Sequence, residues 1–240
     1  CGESDQLKIG AHCDLLMISQ DARQDVLNVY RTALAAVNGR NAVTAFLSGH
    51  AFQTVPHIVA IGKAAGAMAS RAVDVFGEHV PAGFVVSKQG YIDPALRVIP
   101  RFTVIEAGHP IPDAHSLDAG RRLLAFVDAI PADAECLFLI SGGASSLVEV
   151  LPEGLGLADL HRVNQWLLAS GWDIHAMNAV RKRLSLIKGG RLGERVAGRR
   201  AVQLLISDVP GDDPACIGSG LLVPVAQAMP AQAMPPWLTA

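Results

Sequence analysis

Apolar residues recur along this 240-residue chain in two rhythms. Five short runs are apolar almost throughout: HIVAIG at 57–62, AGFVVSK at 82–88, FTVIEAG at 102–108, CLFLISGG at 136–143 and VQLLISDV at 202–209. Runs of that length, rich in β-branched residues and without polar alternation, predict strands covered on both faces. Apolar residues at helical spacing fill most of the rest. Val26, Tyr30, Ala33, Leu34 and Val37 mark a helix over 21–38, and similar patterns occupy 63–76, 114–129, 158–170 and 174–188. Strands alternating with helices predict an α/β fold of three layers, a mainly parallel sheet with helices on both faces.

The polar signals fall where the strand-like runs end: Gly62-Lys63, Gly108-His109-Pro110, Ser141-Gly142-Gly143 and Ser207-Asp208. Open α/β sheets bind ligands beyond the carboxyl ends of their strands, so four of the five predicted strands direct chemistry to one edge. Lys63 stands where a strand turns into a helix, a place that favours anions and disfavours an idle cation; a snorkelling surface lysine is the alternative. SGGASS (141–146) is either a backbone cradle for phosphate oxygens, with Ser141, Ser145 and Ser146 as further donors, or an ordinary tight turn. SDVPGDD (207–213) offers closely spaced carboxylates, which suit Mg²⁺ or equally an Asp-rich turn around Pro210-Gly211. EAGHPIPD (106–113) either positions His109 or Asp113 toward a substrate or is only a fixed turn, with capping of the next helix the favoured role for Asp113. His115, His161 and His175 show no ligand spacing and read as surface residues.

On a helix over 174–188, Asn178, Arg181, Lys182 and Ser185 share one face while Met177, Val180, Leu184 and Ile187 share another. An amide, a guanidinium, an ammonium and a hydroxyl on one face suit a small carboxylate or phosphate; a solvated basic face is the alternative.

Composition narrows the function classes. Half the residues are apolar and 18% are charged, and 20 Lys and Arg against 22 Asp and Glu give a net charge of −2. No nucleic-acid footprint or polybasic membrane patch is expected, and no run approaches the ~20 apolar residues of a membrane span. Cys1, Cys13, Cys136 and Cys216 have no metal or redox spacing; with no leader-like segment at the start, a reducing cytoplasm is the expected location. Residues 223–240 repeat AQAMP and hold four prolines, so the α/β domain is expected over 21–224, between an extension at 1–20 and an irregular tail at 225–240.

Taken in order, GKAAGAMA, EAGHPIPDAHS, SGGASSL, MNAVRKRLSLIKGGRL and SDVPGDDPACIGSG resemble the glycerate 2-kinase family, the class II glycerate kinases whose chains end in a MOFRL domain and some of which are labelled hydroxypyruvate reductases. The resemblance implies a Rossmann-like large domain, and transfer of the γ-phosphoryl group of ATP to D-glycerate with Mg²⁺, the product being 2-phosphoglycerate. It implies catalytic roles for Lys63 and Arg181. It also implies nucleotide contacts from Ser141, Gly142, Gly143, Ser145 and Ser146, substrate contacts from Asn178, Lys182, Lys188 and His109, and a metal site at Asp208 and Asp212. Three departures stand out: Ala144 replaces a glycine, Ser219-Gly220-Leu221-Leu222 replaces an SGPT-type segment, and nothing in 225–240 corresponds to the smaller C-terminal domain. A binding domain without turnover is therefore the second reading. A reductase is the third, disfavoured because no GxGxxG fingerprint is present. A cleft lacking one wall leaves an apolar patch that invites association, a homodimer being one form.

Overall fold

A computed structural model describes residues 20–223. Contacts divide the chain into two compact units, 1–37 and 38–240. The described part of the first is a single helix, α1 (Gln20–Ala36). The expected extension before residue 20 and the expected tail at 225–240 lie outside the described residues.

The second unit is built on five parallel strands, β1 (His57–Ile61), β2 (Gly83–Lys88), β3 (Phe102–Ala107), β4 (Glu135–Ser141) and β5 (Arg200–Ile206), in the order β3-β2-β1-β4-β5. Alternate residues of each strand feed opposite layers, as the twofold period of a strand requires. Val59, Ile61, Phe84, Val86, Phe138 and Ile140 pack on one face with Ala119, Leu123 and Val127 of α5 (Ala114–Ala129). Ile58, Ala60, Val85, Leu137 and Leu139 pack on the other with Val43 of α2 (Gly39–Gly49), and with Met68, Ala69 and Ala72 of α3 (Ala65–Phe76). The short helices α4 (Pro94–Arg97) and α6 (Ala144–Leu147) complete these faces. The three-layer α/β sandwich expected from the sequence is the fold observed.

Three local differences stand out. β5, one of the two edge strands, has no fully buried residue, whereas Ile105 and Ala107 of the other edge strand, β3, are buried. Helix α2 was not expected, although Val43, Phe46 and Leu47 stand at helical spacing and enter the same core cluster as α3; Asn38 caps it by accepting the Asn41 N–H at 2.9 Å. The helix expected over 174–188 stops at Arg183; α7 (Leu157–Ala169) precedes it and α8 (Ile174–Arg183) is all that forms of it. Ser185 lies beyond α8, not on its polar face, and its hydroxyl accepts the backbone N–H groups of Ile187 and Lys188 at 3.3 and 3.1 Å. A serine that offers the backbone an alternative acceptor competes with helix continuation. α9 (Arg191–Arg195) follows the Gly189-Gly190 turn. Helices α7 and α8 share a small core of their own, Val163, Leu167, Val180 and Leu184, with Trp166 and Trp172 edge to face at 5.1 Å.

The sheet order reverses direction between β1 and β4, the switch point at which α/β sheets hold ligands. Behind it, α5 packs on the segment after α6 so closely that a methyl group at Gly120 would stand 2.0 Å from the Glu149 carbonyl oxygen. Replacing glycine by alanine within a helix ordinarily gains about 0.5–1 kcal/mol, whereas overpacking against backbone costs about 1–3 kcal/mol. Gly120→Ala is therefore expected to destabilise the fold by about 1–2 kcal/mol on balance, read as a lower urea midpoint.

Candidate functional site

The turn after β1 and the turn after β4 are stitched together. Lys63 N–H donates to the Gly142 carbonyl at 2.9 Å, and Ala64 N–H donates to Ser141 Oγ at 3.0 Å. Ser141 is itself buried, so its hydroxyl is a structural acceptor at the switch point rather than part of the cavity lining. Above this stitch Lys63 Nζ meets Asp208 Oδ2 at 3.0 Å, each side chain nearly half exposed. Gly142 admits that carboxylate, for an added Cβ would lie 1.9 Å from Asp208 Oδ2. Gly143, at φ +85°, takes a left-handed turn that glycine adopts without strain. The β3–α5 loop brings the ring of His109 against it, 2.8 Å from where a Cβ would stand. Ala144 has no positive φ, so alanine in place of a third glycine is tolerated there.

Burial is the main cause that holds the His109 pKa below its ordinary value. The Lys63 and Lys88 charges push the same way, and Asp208 opposes them. Lys88 ends β2 and lies over the ring of Tyr91 at 3.9 Å. Asp113 caps α5 in a reciprocal pair with Ser116, the role favoured for it by the sequence.

From this edge opens a cavity of about 250 Å³. The sheet side contributes His109, Pro110, Gly143, Ser145, Ser146 and Asp208. Helices α7 and α8 contribute Leu160, Val163, Asn164, Asn178 and Arg181 as the facing wall. Lys188 and Glu149 also line the cavity as a buried ion pair, each side chain 3% exposed. The Lys188 ammonium donates further to the Ser145 carbonyl at 2.8 Å, and Ser145 and Ser219 share a hydroxyl–hydroxyl hydrogen bond of 2.7 Å. Lys188 thus spends one donor on Glu149 and one on the serine loop.

Of the residues singled out in the sequence, His109, Gly143, Ser145, Ser146, Asn178, Arg181, Lys188 and Asp208 line this cavity, with Lys63 held at its rim through Asp208. Lys182 does not: it is buried off the cavity, where its charge acts on Asp213 and Cys216. Asp212 is exposed, outside the lining, and at φ +52° is occupied with the turn. No group of three His, Cys, Asp or Glu able to hold a metal occurs among the described residues. A cation carried in on phosphate oxygens needs only one or two protein carboxylates, and half-exposed Asp208 meets that requirement.

Three polar lining residues, Glu149, Asn164 and Cys216, were not among the expected site residues. Glu149 had a signal, a lone charge inside the apolar run LVEVL. Asn164 had none, being one polar residue on an amphipathic helix. Cys216 donates to Asp213 Oδ2 at 3.3 Å and lies 3.8 Å from His175 Nδ1; burial and the Asp213 carboxylate push its thiol up. His161 is half-buried, not a surface residue, with Nε2 2.6 Å from the Pro112 carbonyl oxygen.

The family model described as a domain of unknown function, DUF4147, matches residues 25–234. A D-glycerate 2-kinase of Thermotoga maritima is 44% identical over 163 residues, 68% of this chain and 38% of its own. A protein of Agrobacterium vitis bearing the name hydroxypyruvate reductase is 41% identical over 210 residues, 87% of this chain and 46% of its own. The crystal structure of a glycerate kinase from Thermotoga maritima superposes with a TM-score of 0.78 at 37% identity, covering 86% of this chain and 49% of that one. The chain thus spans less than half the length of each of these relatives.

Two outcomes follow from the geometry. Lys188→Met leaves Glu149 buried without a counter-charge, and is expected to cost about 3–5 kcal/mol. Lys188→Met with Glu149→Leu should recover most of that loss in urea denaturation. His109 has a folded-state pKa below the unfolded value of about 6.5. It therefore withdraws stability as pH falls below about 6.5, fully so once pH is below its folded-state pKa. Lys63→Met removes a cation and frees Asp208, so the His109 ring should titrate at higher pH, read by NMR.

Proposed function

This chain belongs to the DUF4147 family, and from that premise we propose that it carries the large-domain half of a glycerate 2-kinase site. The reaction assigned is transfer of the γ-phosphoryl group of ATP to a hydroxyl of D-glycerate, giving 2-phosphoglycerate. One observation supports this most: an ammonium–carboxylate pair, an imidazole held neutral and a guanidinium gather around one small cavity at the sheet's switch point. Phosphoryl transfer asks for positioning and charge neutralisation more than covalent chemistry, and these groups supply both.

In this reading Lys63 Nζ neutralises charge on the transferring phosphoryl oxygens. His109, uncharged at neutral pH, accepts the proton of the substrate hydroxyl as its oxygen bonds to phosphorus and the bond to ADP breaks. The turn at Gly142 and Gly143, with the Ser145 and Ser146 hydroxyls, cradles the nucleotide phosphates. Asp208 is the carboxylate assigned to Mg²⁺, which supplies further neutralisation of phosphate charge when bound with the nucleotide. Asn178 and Arg181 face the substrate anion. Lys188 supports the Ser145 carbonyl, and Asp212 is given no ligand role. A homodimer and a cytoplasmic location belong to the same proposal.

The name hydroxypyruvate reductase borne by a relative raises a second reading. Hydride transfer needs a dinucleotide site, and the turn after β1 reads Gly62-Lys63-Ala64-Ala65-Gly66 rather than GxGxxG.

Chain 1–240 with Mg·ATP and D-glycerate is expected to release ADP in a glycerate-dependent manner. Lys63→Ala should lower turnover about 10²–10³-fold, as loss of a transition-state donor does. Unchanged turnover in Lys63→Ala removes that residue's role. Stabilisation by ATP and glycerate without ADP release would favour a binding domain, and stabilisation by NADH alone would favour the reductase.

A further inference from the structure

Arg181 is the one lining residue whose charge has no partner of opposite sign. Its Nε donates to Asn164 Oδ1 at 3.4 Å and its Nη1 to Asn178 Oδ1 at 3.2 Å. Both acceptors are neutral amides, and among the described residues no carboxylate comes within 4.0 Å of the guanidinium. Burial alone pulls its pKa below the ordinary arginine value, with no neighbouring charge contributing. The cavity's other inner cation, Lys188, is neutralised by Glu149. A guanidinium taken part-way out of water without a counter-ion is costly, so leaving it uncompensated reserves its charge for something that enters the cavity. Two of its five N–H groups hold it in place, and the remainder stay available as a planar fork that matches a carboxylate in two-point contact.

We infer that Arg181, steadied by Asn164 and Asn178, is the post that binds the carboxylate of a small hydroxy acid. The amide oxygens fix the plane of the guanidinium and add no full charge, which leaves one positive charge for one carboxylate. Phosphate is served at the opposite side, where the charges of Lys63 and Lys88 both act on His109. A cavity of about 250 Å³ lies below the ~300–1,000 Å³ of pockets for drug-sized ligands and suits an acid of three or four carbons. The apolar side chains of Leu160, Val163 and Leu184 line the same cavity, and apolar neighbours lower the local dielectric and strengthen the contact. Arg181 on this account grips the ground state and does not act on the transferring phosphoryl group. Asn164, through the plane it sets, is a positioning residue. The inference rests on the kinase reading only for the choice of D-glycerate as the acid.

Calorimetric titration of chain 1–240 with D-glycerate, glycerol and inorganic phosphate tests this, with ATP as a parallel titrant. Glycerate is expected to bind and glycerol, which lacks the carboxylate, is not. Arg181→Met should weaken glycerate binding about 10- to 100-fold, the range of hydrogen bonds to a charged group, while ATP binding is unmoved. Asn164→Asp, nearly isosteric and therefore able to fold, puts a competing carboxylate on the guanidinium. It should weaken glycerate binding to a similar degree. Full-strength glycerate binding in Arg181→Met, glycerate failing to bind the folded wild type, or phosphate displacing glycerate in an Arg181-dependent way would each overturn the assignment. Arg181-dependent glycerate binding without any ADP release would leave the assignment standing and remove the kinase reading instead.

Discussion

The cavity depends on the buried ion pair between Lys188 and Glu149. Neither charge has enough water to be solvated, so each needs the other. Their union fixes two stretches of chain about forty residues apart in sequence. Glu149 follows the serine loop, and its backbone N–H donates to the Ser116 carbonyl in α5 at 3.1 Å. Lys188 follows α8, and its backbone N–H is taken by Ser185. Through the ammonium's bond to the Ser145 carbonyl, the serine loop is held against the segment that carries the helical wall. The hydroxyl bond between Ser145 and Ser219 adds the last described turn to the same knot. A hydrophobic substitute would fill the space but would leave that carbonyl without a donor.

Around this neutral floor the charges are distributed unequally. The Lys63–Asp208 pair stands at the rim, half in solvent, where screening leaves it little to contribute to stability. Half in solvent, each partner can be exchanged for another charge at little cost. Arg181 sits on the opposite wall with its charge uncompensated, and burial first, with the Lys63 and Lys88 charges behind it, lowers the His109 pKa. The site thus combines a solvent-exposed ion pair at its rim with a buried one in its floor.

Much of this was legible in the chain. Continuous apolar runs ending in Gly, Ser, Lys and Asp fix both the parallel sheet and the edge at which chemistry collects, because strand direction in such a sheet leaves no choice of side. Lys63, His109, Gly143 and Asp208 meet for that reason. Helical phase was a weaker guide. Asn178, Arg181 and Lys182 share a face by angle, yet the cavity follows the side shared by Asn178, Arg181 and Leu184, and Lys182 falls beyond its margin toward Asp213. The end of α8 turned on a single serine hydroxyl, a local bond that periodicity does not encode. Asn164 owes its place to the pairing of two helices, which no spacing within one helix reveals.

The separate core of α7 and α8 has a mechanical meaning. Four buried side chains and a pair of tryptophans hold that hairpin together, whereas the sheet is clamped by two far larger clusters. Local stability follows the apolar contacts a segment makes, so the helical wall is the part of the site that opens at the smallest free-energy cost. The wall is thus held by fewer contacts than the sheet edge, whose turns are stitched together.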